Sequence, residues 1–289
     1  MLTVSQFHDK IASGLRFLDG ATGSNLRKAG MPNGACTESW VLSNPEALIR
    51  LQREYVKAGS QVLYAPTFQA QPIALEKECL DKHTEAINAH LVSLSKSVDS
   101  HVLVAGNLTT LAAFMDSFDE CNFEMMIENY RRQIKGLLDG GADLLAAETL
   151  MYPLEAEAIL TAAELEGAST VLYSFTMQGD GSLFSGCDAG PILQELEKAG
   201  AAAVGFNCVS ANAFTPGLVS KLRRYVKGPL VCKPNAGDPV IDENGIAQYS
   251  LSAHDFAKIM ADCHKMGATL LGGCCGTSPS YIQNVVNAL

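Results

Sequence analysis

The chain has 289 residues, 47% of them hydrophobic and 18% charged, with a formal net charge of −10 at pH 7. It can bury a substantial core, no apolar run is long enough to span a membrane, and the acidic balance excludes nucleic acid or an anionic membrane as the main partner. Nine scattered cysteines and an N-terminal MLTVSQFHDKIASG without a signal-peptide pattern predict reduced thiols and a cytoplasmic location.

Short apolar runs typical of β-strands alternate with helical patterns along the whole chain. The runs are nearly continuously apolar, as expected for parallel strands that are covered on both faces. The eight predicted strands are FLDGA (17–21), QVLYAPTF (61–68), HVLVAGNLT (101–109), DLLAAET (143–149), TVLYSFTM (170–177), AAVGFNC (202–208), PLVCKPNA (229–236) and TLLGGCC (269–275).

Segments between these strands carry helix start and stop residues. In SNPEALIRLQREYVKAGS, Ser43 or Asn44 is the expected cap, Pro45 lies in the first turn and Gly59 follows the end. Eight strand–helix units without a linker predict a single α/β domain over 1–289, a (β/α)8 TIM barrel. The alternative, an open doubly wound sheet, would be favoured by a G-x-G-x-x-G loop, and DGATGSNL lacks one.

Active sites of such barrels lie at the carboxyl ends of the strands. Polar residues at these ends are Asp19, Thr22, Thr67, Gln69, Asn107, Thr109, Glu148, Thr149, Asn207, Cys208, Asn235, Cys274 and Cys275. Three of the nine cysteines therefore converge on one rim. For the other six we expect core packing; they are Cys36, Cys79, Cys121, Cys187, Cys232 and Cys263.

Three cysteine thiolates at one rim are suited to zinc, and a set of three leaves a fourth position for substrate. Adjacent residues on a regular strand point to opposite faces, so Cys274 and Cys275 need the flexible backbone of the flanking glycines to reach one ion. Two alternatives are simple buried packing of the pair and a strained vicinal disulfide. A substrate thiol bound at zinc would lose its proton and stay nucleophilic at neutral pH.

The sequence resembles the homocysteine S-methyltransferase family over essentially its whole length. GFNC (205–208) followed by GGCCG (272–276) resembles the zinc signature of that family. LDGATGSNL (18–26) and YAPTF (64–68) resemble the ends of its first two strands, and AAET (146–149) matches a further position. KPNAG (233–237) is most similar to the homocysteine-binding module of cobalamin-dependent methionine synthases.

The resemblance implies that the zinc ligands are Cys208, Cys274 and Cys275, and that the zinc binds the homocysteine sulfur. It also implies that Glu148 receives the substrate ammonium, with a rim salt bridge as the alternative. The turn expected near the substrate carboxylate consists of Asp19, Gly20, Ala21 and Thr22; Asp19 is equally suited to anchoring the loop. Three further residues orient ligands or line the pocket, or else cap local structure: Thr67, Asn207 and Asn235.

The implied reaction is attack of the homocysteine thiolate on an activated methyl group to give methionine. The chain stops just after the eighth helix, so we expect a separate corrinoid protein to deliver the methyl group as methylcobalamin. A small sulfonium such as S-methylmethionine is the alternative donor. Residues 107–123 form either an apolar docking surface for a partner protein or a helix packed on the barrel. Other functions left open are a non-catalytic thiol- or zinc-binding barrel, another thiol acceptor, and a Schiff-base enzyme using Lys233. Substitution of Lys233 would abolish the last activity and be mild for a methyltransferase.

Overall fold

The computed structural model describes residues 1–243 and 246–289. No helix in these residues is both long and apolar enough to cross a membrane. The strands are β1 Val62–Tyr64, β2 Leu103–Thr109, β3 Leu144–Leu150, β4 Val171–Phe175, β5 Ala203–Ser210, β6 Leu230–Asn235, β7 Pro239–Ile241, β8 Ala247–Tyr249 and β9 Leu270–Leu271. The α-helices are α1 Val4–Ala12, α2 Gly23–Lys28, α3 Thr37–Ser43, α4 Pro45–Lys57, α5 Pro72–Leu75, α6 Thr84–Lys96, α7 Phe123–Asp139, α8 Pro153–Leu165, α9 Ala189–Lys198, α10 Thr215–Leu222, α11 Ala253–Lys265 and α12 Pro279–Ala288.

Seven strands form one parallel sheet in the order β1-β2-β3-β4-β5-β6-β9. Its two edges are joined by a short segment near the amino terminus, because Phe17 bridges to Leu271 and Leu18 bridges to Val62, both in parallel. Eight parallel segments thus close the sheet on itself. The predicted (β/α)8 barrel is confirmed, and the open doubly wound sheet is excluded.

The strand boundaries differ from the prediction at both ends of the chain. The first segment pairs only at Phe17 and Leu18, and β9 ends at Leu271. Cys274 and Cys275 therefore lie in a loop beyond the strand. An antiparallel hairpin formed by β7 and β8 follows β6, and nothing in the sequence had indicated it.

Side chains inside the barrel change from apolar to polar along the strand direction. Alternate residues of a strand point to the same face, so each strand contributes a row of interior positions. Near the amino ends of the strands the interior is apolar, and Phe7 of α1 packs into the same cluster and closes that end. Toward the carboxyl ends the interior positions are buried and polar; they are Asn107, Glu148, Ser174, Asn207 and Lys233. The polar layer lies directly below the barrel mouth.

The predicted helix after residue 43 is present as α4. Pro45 occupies its first turn, and Gly59 has a positive φ of 103° just beyond its end. Asn44 is the capping residue by position, but its side chain makes no cap bond; it donates instead to the Trp40 carbonyl at 2.9 Å.

The loop at 107–123 folds back onto the barrel. Met115, Phe118 and Phe123 are partly buried against the main core cluster, and the Phe118 ring stacks on Tyr152 with 4.2 Å between the ring centroids. Within this segment a short 3-10 helix spans Glu120–Asn122, and Phe123 begins α7. The three apolar side chains therefore pack on the barrel, as in the second alternative, and do not form an exposed apolar surface.

Candidate active site

The structure brings the three predicted cysteines together at the barrel mouth. The sulfurs of Cys208, Cys274 and Cys275 all lie within 4.8 Å of one another, and the Cys208 and Cys274 sulfurs are 2.6 Å apart. That separation is longer than a disulfide bond of about 2.05 Å, and all nine cysteines are free. Cys208 reaches the cluster from β5 with a left-handed backbone, φ 56°, where the pairing with β6 shifts register.

Glycines direct the loop that carries Cys274 and Cys275. A Cβ at Gly272 would lie 2.8 Å from the Asp19 carbonyl oxygen and 2.9 Å from Cγ of Lys233, so only glycine fits the gap. Gly276 has a positive φ of 81° and turns the chain after the pair. The loop is tied to the end of β6, because the Cys274 N–H donates to the Pro234 carbonyl at 2.8 Å.

The electrostatics of the cluster favour a bound cation. Hydrogen bonds from the other two thiols lower the pKa of Cys275, whereas hydrogen bonds to Cys208 and Cys275 raise the pKa of Cys274. Burial and mutual repulsion oppose simultaneous ionisation of the three thiols, and a bound cation would offset both. Three soft sulfur ligands suit a zinc ion, around which thiolates sit about 3.8 Å apart at Zn–S distances of about 2.3 Å. The sulfurs of Cys208 and Cys274, 2.6 Å apart, would have to separate by about 1 Å to share such an ion.

A charged group lies below the cysteines, on the floor of the pocket. Glu148 accepts from the Asn107 amide at 2.9 Å and from the Lys233 ammonium at 3.2 Å. Asp19 lies 3.6 Å from the same ammonium, and its other oxygen accepts from the Tyr64 N–H at 2.8 Å. Burial raises the pKa of Asp19 to about 7, against the lowering effect of Lys233. The Lys233 ammonium therefore faces two carboxyl groups, those of Glu148 and Asp19.

Asn207 links the cysteines to the neighbouring strands. Its side-chain oxygen accepts from the Thr149 N–H at 2.7 Å and from the Ser174 hydroxyl at 2.9 Å. Its amide donates to the Thr149 hydroxyl at 2.7 Å and lies 3.8 Å from the Cys274 sulfur. The side chain is fully buried, so all its hydrogen-bonding capacity is used within the protein.

The other predicted site residues divide into two groups. Gly20, Ala21 and Thr22 line the pocket together with Glu148 and the cysteines, whereas Asp19, Thr67, Asn207 and Asn235 lie beneath its surface. Thr67 donates to the Asn107 carbonyl at 2.9 Å, and Asn235 donates to the Cys208 carbonyl at 3.1 Å. These contacts support an orienting role for the buried group rather than direct contact with a ligand.

The pocket is an open cavity of about 1030 Å³ at the carboxyl ends of the strands. Its floor carries the charged group and one wall carries the three sulfurs. Tyr249 of the unpredicted hairpin also lines it and hydrogen-bonds Cys275. An open cavity of this size with charged side chains and thiols in its lining is suited to a small polar ligand.

The family model described as homocysteine S-methyltransferase matches residues 16–289. The chain belongs to the homocysteine S-methyltransferase family. It is 26% identical over 290 residues to the methionine synthase of Mycobacterium tuberculosis, an alignment that covers 94% of this chain and 24% of that protein. It is 27% identical over 289 residues to the homocysteine S-methyltransferase of Escherichia coli, covering 92% of each. The chain thus spans about a quarter of the length of the methionine synthase.

A solved structure with the same fold is the homocysteine methyltransferase MmuM of Escherichia coli in its metallated form. The TM-score is 0.82 at 24% identity, over 95% of this chain and 96% of that one. The family and fold expected from the sequence motifs are therefore confirmed.

Sequence reasoning missed several features of the site. Cys79, Cys121 and Cys187 are exposed, so the expectation of core packing was wrong for them; it holds for the buried Cys232 and Cys263. Cys121 lies in a three-residue 3-10 helix, Cys79 directly follows another, and Cys187 lies in a loop; such short connecting segments run over the protein surface. The sequence indicates Lys233 only as a Schiff-base candidate. Its position in the charged floor depends on Asp19 and Glu148, which are distant from it in sequence.

Proposed function

We propose that this chain binds zinc through Cys208, Cys274 and Cys275 and methylates the thiol of homocysteine to give methionine. The observation that carries the proposal is the convergence of three sulfurs within 4.8 Å at an open barrel mouth. Among the described residues, no fourth histidine, cysteine or carboxylate joins them. A three-ligand site leaves a coordination position for substrate, as catalytic zinc sites do.

Zinc held there supplies the Lewis acidity that lowers the pKa of an acceptor thiol from its ordinary value of about 8.5 or above. The protein then needs no side chain as general base, and its residues bind and align the acceptor. The sulfur attacks the methyl carbon, the new S–C bond forms as the bond to the donor breaks, and the donor retains the electron pair of the broken bond. The thiol proton leaves to solvent.

The residues beside the cysteines have proposed roles in binding the amino-acid end of the acceptor. Glu148 receives its ammonium, and the turn formed by Gly20, Ala21 and Thr22 lies near its carboxylate. Asp19 anchors this turn to β1 through its bond with the Tyr64 N–H. The remaining proposed site residues position other residues through hydrogen bonds. Thr67 bonds the backbone of Asn107, Asn207 bonds Thr149, and Asn235 bonds the Cys208 carbonyl.

The proposed methyl donor is methylcobalamin carried by a separate corrinoid protein. The likeness to a quarter of a methionine synthase supports it, because a module of a longer enzyme receives its second reactant from elsewhere. The second candidate is a small sulfonium such as S-methylmethionine, which the full-length likeness to the homocysteine S-methyltransferase of Escherichia coli supports. We place the reaction in the cytoplasm, where free cysteines stay reduced.

The alternative of Schiff-base chemistry has little support from the site. A Schiff-base lysine must lose its proton, and burial works in that direction for Lys233. Glu148 and Asp19 nevertheless raise the pKa of Lys233 well above its ordinary value. This lysine is therefore held in the charged form, which cannot act as a nucleophile.

Zinc content and proton release test the proposal in the purified protein. We expect about one zinc per chain, loss of zinc in Cys208→Ala and Cys275→Ala, and no loss in the control Cys121→Ala, whose thiol is exposed. Homocysteine should release a proton on binding at neutral pH. Methionine formation with methylcobalamin or with S-methylmethionine then distinguishes the donors. If the protein binds zinc and releases a proton but forms no methionine with either donor, the non-catalytic thiol-binding barrel is supported. If wild type contains no zinc and the cysteine substitutions leave homocysteine binding unchanged, the metal site is refuted.

A further inference from the structure

Lys233 is a buried cation at the floor of the pocket. Only 3% of its side chain is exposed, and its ammonium lies 3.5 Å from the centroid of the Tyr64 ring. The charged and titratable groups that face it are Glu148, Asp19, Tyr64 and Cys274. One hydrogen bond, to Glu148 at 3.2 Å, is within normal distance, and Asp19 at 3.6 Å is beyond it. An ammonium carries three donors, so its hydrogen-bonding capacity is incompletely used.

The backbone is shaped to place this lysine. Its aliphatic stem passes Gly272, where an added Cβ would lie 2.9 Å from Cγ of Lys233. Gly272 belongs to the loop that carries Cys274 and Cys275, so the lysine stem and the cysteine loop pack against each other. The ammonium is therefore fixed in position relative to the sulfur cluster.

The pair of Lys233 and Glu148 is complementary to the polar end of an α-amino acid. Its opposite charges are 3.2 Å apart, and in an amino acid the ammonium nitrogen and a carboxylate oxygen are separated by about the same distance. A zwitterion laid antiparallel on the pair sets its ammonium against Glu148 and its carboxylate against Lys233. Asp19 lies 3.6 Å from the same ammonium, so two carboxyl groups face one cation, and a substrate ammonium set against Glu148 adds a second positive charge to the floor.

We propose that Lys233 is a specificity-determining residue that binds the carboxylate of the acceptor, so that the pocket selects α-amino-acid thiols over thiols lacking either charge. The inference rests on the proposed function, since it concerns the acceptor of that reaction. It adds a cationic side chain to the backbone turn at 20–22 as the place where the acceptor carboxylate binds. It also contradicts the expectation that substitution of Lys233 would be mild.

Calorimetric binding of thiols to zinc-loaded protein tests the inference without a methyl donor. The probes are homocysteine, 3-aminopropanethiol, which lacks the carboxylate, and 4-mercaptobutyrate, which lacks the ammonium. Wild type should bind 3-aminopropanethiol more weakly than homocysteine by on the order of 10- to 100-fold, the effect of one charge-assisted hydrogen bond. In Lys233→Met, homocysteine and 4-mercaptobutyrate should weaken by a similar factor, while 3-aminopropanethiol changes by less than about threefold.

The matched control is Lys96→Met, which breaks an ion pair with Asp143 at the opposite end of the barrel. It should leave all three affinities unchanged. If Lys233→Met fails to retain zinc, the same three affinities are measured with Lys233→Gln, which keeps a neutral hydrogen-bond donor. Equal weakening of all three thiols in the Lys233 variants would show a merely structural lysine and overturn the inference alone. Failure of wild type to bind any thiol in a zinc-dependent way would overturn the proposed function with it.

Discussion

Asn207→Ala should destabilise the protein strongly although Asn207 lies outside the pocket surface. The substitution removes the acceptor of two hydrogen bonds, from the Thr149 N–H at 2.7 Å and the Ser174 hydroxyl at 2.9 Å. It also removes the donor to the Thr149 hydroxyl at 2.7 Å. Each buried polar group left without a partner costs about 1–3 kcal/mol, so we expect the free energy of unfolding to fall by about 3 kcal/mol.

Urea denaturation of the zinc-free protein measures this loss without a contribution from the metal. The control is Asn212→Ala, because the Asn212 side chain accepts a single hydrogen bond, from the exposed Phe214 N–H at 2.8 Å. We expect a loss of about 1 kcal/mol or less for that variant. A second readout is zinc affinity, which should fall by about 10- to 100-fold in Asn207→Ala, since the amide lies 3.8 Å from the Cys274 sulfur. Equal stability of the two variants would refute the role given to the Asn207 network.

Three further predictions concern other parts of the chain. With zinc bound, a thiol reagent should react rapidly with the exposed Cys79, Cys121 and Cys187, and a chelator should make the three cysteines of the cluster reactive as well. The half-buried Cys36 should react slowly, because burial and the neighbouring Glu38 raise the pKa of its thiol to about 11; rapid reaction of Cys36, Cys232 or Cys263 would contradict this prediction. Burial raises the pKa of Asp19 to about 7, so the folded protein retains a proton that the unfolded chain releases above about pH 4. Its contribution to stability therefore falls as pH rises from about 4 to 7, and the difference in unfolding free energy between wild type and Asp19→Asn should change across that range; a constant difference would contradict the assignment. Gly205→Ala would place a Cβ against the backbone of Val231 and should cost more than about 3 kcal/mol, whereas Gly217→Ala on α10 meets open space and should be neutral or stabilising in thermal unfolding.

The cysteine site was predictable from the sequence because its elements are local. Strand ends, glycines and the GGCCG loop can each be read within a few residues, and the barrel rule places all strand ends at one rim. The first and last strands were predicted too long, because the loop residues that follow the apolar pairs Phe17-Leu18 and Leu270-Leu271 were included in them. The β7–β8 hairpin was missed because each of its strands has only three residues, and the apolar Val240 and Ile241 of β7 are exposed instead of packing in a core.

The charged floor could not be predicted in the same way. Glu148 and Lys233 are 85 residues apart in sequence, and they meet because both occupy interior positions in the upper part of the barrel. That meeting depends on the register of β3, β4, β5 and β6 around the barrel. A sequence pattern gives the alternation along each strand but not the relative heights of residues on different strands. Lys233 could therefore be placed on a strand end but not beside its two carboxylates.

Backbone strain in the described chain is concentrated where the site lies. Three residues other than glycine have positive φ. Two of them directly follow residues of the polar layer: Thr149 comes after Glu148, and Cys208 comes after Asn207. Such conformations cost about 1–3 kcal/mol each and persist only where surrounding contacts hold them. Here the Asn207 side chain accepts a hydrogen bond from the Thr149 N–H and donates one to the Thr149 hydroxyl. The same hydroxyl lies 3.9 Å from the Cys208 sulfur. The left-handed residue Cys208 thus carries its sulfur to the cluster with Cys274, while Asn207 holds the strained Thr149 and Asn235 binds the Cys208 carbonyl.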